Sequence, residues 1–181
     1  MLKKRSLHYN CFQHDETALF FAAKTSNKEI VEFLIDNGAD INIKSDEGHT
    51  AFTSAAFVGH LSIVSLFMEK KVDYNIQTNS KLNALISAAY KGYKDLVELL
   101  INYGVDLNLQ DDKGKTAYMW AVINNNEEVI SLLLEKGADI NIKDLDGKTA
   151  LDYANENKNP KTNNFSDYDA VDEVSSEPNF E

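Results

Sequence analysis

The chain has 181 residues, 43% hydrophobic and 26% charged, which allows a packed core and excludes wholesale disorder. Its 29 acidic against 18 basic residues leave a formal net charge of −11. That balance excludes a general grip on nucleic-acid backbone, where Lys and Arg must displace counterions, and argues against a peripheral binder of anionic membranes.

The N-terminal stretch MLKKRSLHYNCFQHDE carries basic residues with no apolar run behind them, which is not the pattern of a secretory signal. No stretch approaches the roughly 18 apolar residues of a membrane span. One cysteine, Cys11, excludes an internal disulfide framework and a multi-cysteine zinc site. The expectation is a soluble, acidic, monomeric protein of a reducing compartment, the cytoplasm. His8, Cys11 and His14 are spaced H-x2-C-x2-H, but a fourth ligand is missing and the spacing matches no established zinc pattern. The segment reads as an exposed terminus, and no metal or cofactor is expected.

From Thr17 onward the chain repeats itself. Thr17, Thr50, Asn83, Thr116 and Thr149 stand 33 residues apart and open TALFFAA, TAFTSAA, NALISAA, TAYMWAV and TALDYAN. Each polar residue reads as the cap of a short helix, its side-chain oxygen accepting from free backbone N–H groups. Leu19, Phe52, Leu85 and Tyr118, with Ala22, Ala55, Ala88 and Ala121 three later, mark one helical face. A break follows at Gly59-His60, Gly92-Tyr93 or Asn125-Asn126. A second helix then carries the pairs Ile30-Val31, Ile63-Val64, Leu96-Val97 or Val129-Ile130 and ends at Gly38, Gly104 or Gly137, where a left-handed cap is expected. Next come Asn42, Asn75, Asn108 and Asn141, each between apolar residues, and polar turns such as SDEGH and DDKGK that project as fingers.

This period and these motifs resemble the ankyrin repeat, a 33-residue helix-turn-helix unit with a T-P-L-H-x-A signature. The resemblance covers about residues 12–158. It implies an all-α solenoid of units 12–44, 45–77, 78–110 and 111–143 with a partial fifth at 144–160, following an N-terminal segment 1–11. One unit cannot bury two faces, so neighbours must stack, leaving a concave surface. The signature's His is replaced by Phe20, Thr53, Ile86, Met119 and Asp152, so the hydrogen bonding that His supplies between units is expected to be missing. Lys71 stands at a helix-ending glycine position and Lys81 at a finger glycine position; a retained φ > 0 costs each on the order of 1 kcal/mol. With Asn83 as the odd cap, the junction of units two and three is expected to be the weakest. Phe20 and Phe21 lack an upstream repeat, so either Leu2, Leu7, Tyr9 and Phe12 cover them or the chain is cut from a longer array. Residues 161–181 hold six acidic residues and one lysine, a tail composition. Phe165, Tyr168, Val171 and Val174 fall at spacings of three, so a short capping helix over 166–174 and a tail without structure both remain open.

No nucleophile–base pair, phosphate-cradling glycine loop or metal cluster emerges, so no catalytic activity is expected. The resemblance implies a protein-binding surface on the finger tips and the exposed ends of the first helices. Carried over by position, it comprises Asp46, Glu47, His49, Phe57 and Val58; Asn79, Ser80, Leu82, Tyr90 and Lys91; and Asp112, Lys113, Lys115, Ile123 and Asn124. Phe57, Val58, Leu82, Tyr90 and Ile123 are apolar where the stack does not require it, and a contiguous apolar strip with a polar rim is the anatomy of a protein-binding site. Trp120 and Tyr153 read as packing residues, and His60 as structural. The leading expectation is a non-catalytic protein-recognition module. The alternative is an inhibitor or regulatory subunit whose acidic tail docks on Lys113, Lys115, Lys143 and Lys148. Lys outnumbers Arg 17 to 1, which suits an A/T-rich genome and a host-directed effector working inside a host cell.

Overall fold

The computed structural model describes residues 17–157. Among them are helices α1 (Ala18–Lys24), α2 (Lys28–Asp36), α3 (Ala51–Val58), α4 (Leu61–Glu69), α5 (Ala84–Lys91), α6 (Lys94–Asn102), α7 (Ala117–Ile123), α8 (Glu127–Glu135) and α9 (Ala150–Asn157), with no strand. The odd-numbered helices stack in one row and α2, α4, α6 and α8 in a second. This is the all-α solenoid of helix pairs that the 33-residue period implies. The H-x2-C-x2-H stretch and the candidate helix at 166–174 lie outside the described residues.

The caps form as the sequence requires. Thr17 Oγ1 accepts from the Phe20 amide at 3.2 Å, Asn83 Oδ1 from Ile86 at 2.7 Å and Thr116 Oγ1 from Met119 at 3.3 Å. At two of the positions where the signature has His, the replacement turns back onto its own cap. Thr53 Oγ1 accepts from the Thr50 amide at 2.9 Å while Thr50 Oγ1 accepts from Thr53, closing a capping box. Asp152 accepts from both the amide and the hydroxyl of Thr149 at 2.7 Å.

Two of the residues that open second helices bond across units. His60 Nε2 donates to the Lys24 carbonyl at 2.9 Å. Asn126 Nδ2 donates to the carbonyls of Ala89 and Tyr90 at 2.8 and 3.1 Å. Tyr93, in the same register, lies so close to Gly59 that a Cβ there would come within 2.7 Å of its ring. His60 is therefore structural. Lys71 and Lys81 do keep left-handed backbone, with φ of 61° and 57°.

The core runs along the stack: Leu19, Phe52 and Leu85 are buried on the first helices, Val31, Val64 and Val97 on the second, and an alanine column lets the helices approach. The first unit shows what stacking contributes. Ile30 and Phe33 are 48% and 64% exposed, whereas their register equivalents Ile63 and Leu66 are at most 3% exposed beneath α2. Phe20 is nonetheless buried.

Candidate functional site

The fingers are built by one register position, occupied in turn by Ser45, Thr78, Asp111 and Asp144. Each side chain accepts from the amide four residues on, closing the turn: His49 at 3.2 Å, Leu82 at 3.1 Å, Lys115 at 2.7 Å and Lys148 at 2.9 Å. Neighbouring fingers are laced by backbone bonds from Asn79 to Glu47, Asp112 to Ser80 and Leu145 to Lys113, each 3.0 Å. Below the tips, Asn75 Oδ1 and Asn108 Oδ1 accept from the Asp106 and Asp139 amides of the following units at 3.1 and 2.9 Å. These asparagines thus join units rather than merely closing their own turns. Tips held this way form a pre-ordered edge.

In the last two units the finger residue is a carboxylate, and its second oxygen needs a donor. Trp120 Nε1 donates to Asp111 Oδ2 at 2.8 Å, and one period later Tyr153 donates its hydroxyl to Asp144 Oδ2. Burial pushes the Asp111 carboxyl above its ordinary range, and the bonds from Lys115, Trp120 and Lys113 only partly offset it. Burial also opposes ionisation of Asp144, but there the bond from Tyr153, the Lys148 amide and the nearby Lys115 ammonium outweigh it, so its carboxyl is held low.

The same column explains a notch along the row of first helices. Residues 21, 54, 87, 120 and 153 are Phe, Ser, Ser, Trp and Tyr. Where units four and five place a large ring against the finger, unit three has Ser87, whose hydroxyl instead donates to the Asn83 carbonyl at 3.0 Å. The space this leaves is lined by Phe57, Leu82, Ile86, Ser87, Tyr90 and Trp120. Tyr90 meets Trp120 edge to face, with centroids 5.4 Å apart. The Lys91 ammonium lies 4.7 Å from the Phe57 ring centroid and 5.2 Å from that of Tyr90, a cation held at an aromatic rim. The notch encloses about 290 Å³ including space open to solvent. Metabolite sites bury most of their ligand, whereas this notch is shallow and half open to solvent, which suits contact with a side chain rather than enclosure of a small molecule.

Of the expected surface, Phe57, Leu82 and Tyr90 come together in the notch with Lys91 beside them. Val58 and Asn124 follow on the same helix ends, and Asp46, Glu47, His49, Asn79, Ser80, Asp112 and Lys113 occupy the fingers. Two expectations need correction. Ile123 is 6% exposed and belongs to the core, because α7 is covered by its neighbours on both sides. Lys115 is 9% exposed: its ammonium lies 3.5 Å from Asp144 Oδ2 and over the rings of Trp120 and Tyr153 at 5.6 and 5.3 Å. Lys148 likewise pairs with Glu156 at 2.9 Å, so two of the four lysines expected to receive the tail are already engaged. Ile86, Ser87 and Trp120 were missed as lining residues. The signal for Ser87 and Trp120 was the change from small to large between units three and four of one column.

Among the described residues no helix is long and apolar enough to cross a membrane, and no group of three His, Cys, Asp or Glu is arranged to hold a metal ion. The family model for ankyrin repeats in three copies matches residues 2–78, 55–144 and 85–165. A 50-residue stretch is 44% identical to the ankyrin repeat and KH domain-containing protein mask-1 of Caenorhabditis elegans, a match covering 28% of this chain and 2% of that protein. Capped helix pairs in 33-residue register, laced fingers and a family match over most of its length agree: the chain belongs to the ankyrin repeat family, whose repeats are protein-interaction modules and generally not enzymes.

Proposed function

We propose that the protein grips a protein partner on its concave side, seating one apolar side chain of that partner in the notch between α5 and α7. The observation that carries this reading is the notch itself: an apolar recess walled by Phe57, Tyr90 and Trp120, with the Lys91 ammonium at its rim. Aromatic anchors in a desolvated pocket dominate protein-binding energies, and polar neighbours exclude water around them. The stacked helices and laced fingers order the surface before binding, which lowers the entropy cost of association. Lys91 adds preference for a partner carrying a carboxylate next to its apolar anchor. The setting is a reducing compartment, and the protein acts as a monomer without nucleic acid or cofactor.

The test compares capture of partners from lysate by the intact chain, by Phe57→Ser/Tyr90→Ser and by Lys91→Glu. Helical signal and melting behaviour are checked first. Loss of two anchor rings is expected to weaken capture by at least thirtyfold, the equivalent of about 2 kcal/mol for a hot spot. Lys91→Glu, at an exposed position, leaves the fold untouched and is expected to weaken capture more in low salt than in high. Undiminished capture of the same proteins by the folded double variant refutes the reading.

A further inference from the structure

The notch has one occupant whose chemistry is written in the same chain. We infer that residues 161–181 dock back into it, so that the protein masks its own binding groove until a partner displaces the tail. This rests on the groove reading above and specifies its regulation.

Three observations support it. The first is register. Asn157, where α9 ends, lies two 33-residue periods beyond Lys91, which ends α5 at the rim of the notch. The chain therefore leaves the last described helix on the same edge of the stack, displaced only by the two spacings from α9 to α7 and α7 to α5. Packed helices lie about 8–10 Å apart, so the gap is about 20 Å. Residues 158–165, at about 3.3 Å each when extended, reach about 26 Å.

The second is charge. The tail carries Asp167, Asp169, Asp172, Glu173, Glu177 and Glu181 against the single Lys161. The finger tips are of mixed sign, with Asp46, Glu47 and Asp112 beside Lys113 and Lys143, and Lys115 and Lys148 are engaged with Asp144 and Glu156. The helix-end side is the right sign, with the exposed Lys91 standing over the notch. Charge thus makes the notch rim complementary to the tail, and the apolar anchors distinguish it from the last fingers.

The third is fit. Phe165 and Tyr168 are apolar anchors with Asp167 and Asp169 beside them. A ring seated between Phe57, Leu82 and Tyr90 leaves an adjacent carboxylate at the Lys91 ammonium. That is the anchor-plus-carboxylate pattern the notch selects.

The test uses the full chain with Phe57→p-benzoylphenylalanine, irradiated pure and at low micromolar concentration, and adducts mapped by mass spectrometry. Adducts within one chain to residues 161–181 are expected. They should fall at least fivefold in Lys91→Glu and in Phe165→Ser/Tyr168→Ser, both of which leave the described helices intact. The tail double variant should also bind a captured partner at least tenfold more tightly. Adducts to residues 1–16, adducts to a second copy, or no adduct with the tail overturns the inference. If the probe labels a partner in lysate but not the tail, the groove reading stands and the tail inference falls; if it labels neither, both fall.

Discussion

Replacing Asn83 by threonine should stabilise this array. Asn83 is the only cap of the five that is not threonine, and it is 1% exposed. Its Oδ1 does what the threonine hydroxyl does elsewhere, accepting from the Ile86 amide at 2.7 Å. Its Nδ2, however, is buried with no hydrogen-bond partner, the one such side-chain atom among the described residues. An unsatisfied buried donor costs about 1–3 kcal/mol, whereas asparagine and threonine differ as caps by only a few tenths. Asn83→Thr keeps the cap and removes the orphan, for a gain of about 1 kcal/mol, or about 2–4 °C in Tm for a chain of this size. Asn83→Ala removes both cap and orphan and should come out near neutral. Thr116→Ala, which removes a cap with no orphan to relieve, should cost about 1 kcal/mol. Urea and thermal unfolding of the three variants decide the matter, with hydrogen exchange of α5 as a local check because repeat arrays need not unfold in one step. If Asn83→Thr is no more stable than the parent, and Asn83→Ala loses as much as Thr116→Ala, then Nδ2 is satisfied and the reasoning fails.

Lys81→Gly should raise stability by about 1 kcal/mol by relieving left-handed backbone at φ 57°; an unfolding curve that shifts the other way refutes it. Lys71, Lys81 and Asn83 all flank the junction of units two and three, so native-state hydrogen exchange should find the amides of α4 and α5 opening together ahead of α6 and α7. Finding that junction the best protected refutes this. Asp144 sets a pH dependence. Its carboxyl is lower in the folded chain than in the unfolded one, so its contribution is present above the ordinary value of about 3.9 and is lost as pH falls through the folded value. The destabilisation caused by Asp144→Asn should therefore be full near neutral pH and shrink below about pH 4; a penalty independent of pH across that range excludes the ionised pair with Lys115 as its source.

The sequence by itself determined the architecture, because the repeat is a local pattern copied five times. Cap, alanine column, break and left-handed turn each depend on a few consecutive residues, and their phase of 33 places them one above another. Even the strained positions were legible: Lys71 and Lys81 stand where glycine stands in sister units, and both keep φ > 0. What only the tertiary structure decided was which side chains face solvent and which join neighbours. Ile123 reads as an exposed anchor in register with Tyr90 but is covered by the adjoining helices, and Lys115 reads as a finger-tip cation but folds onto Asp144 and two rings. The notch arises from a small residue in one unit meeting large rings in the units on either side. Those outcomes depend on side-chain volume and charge summed across two or three units, whereas the repeat motif constrains each unit one at a time.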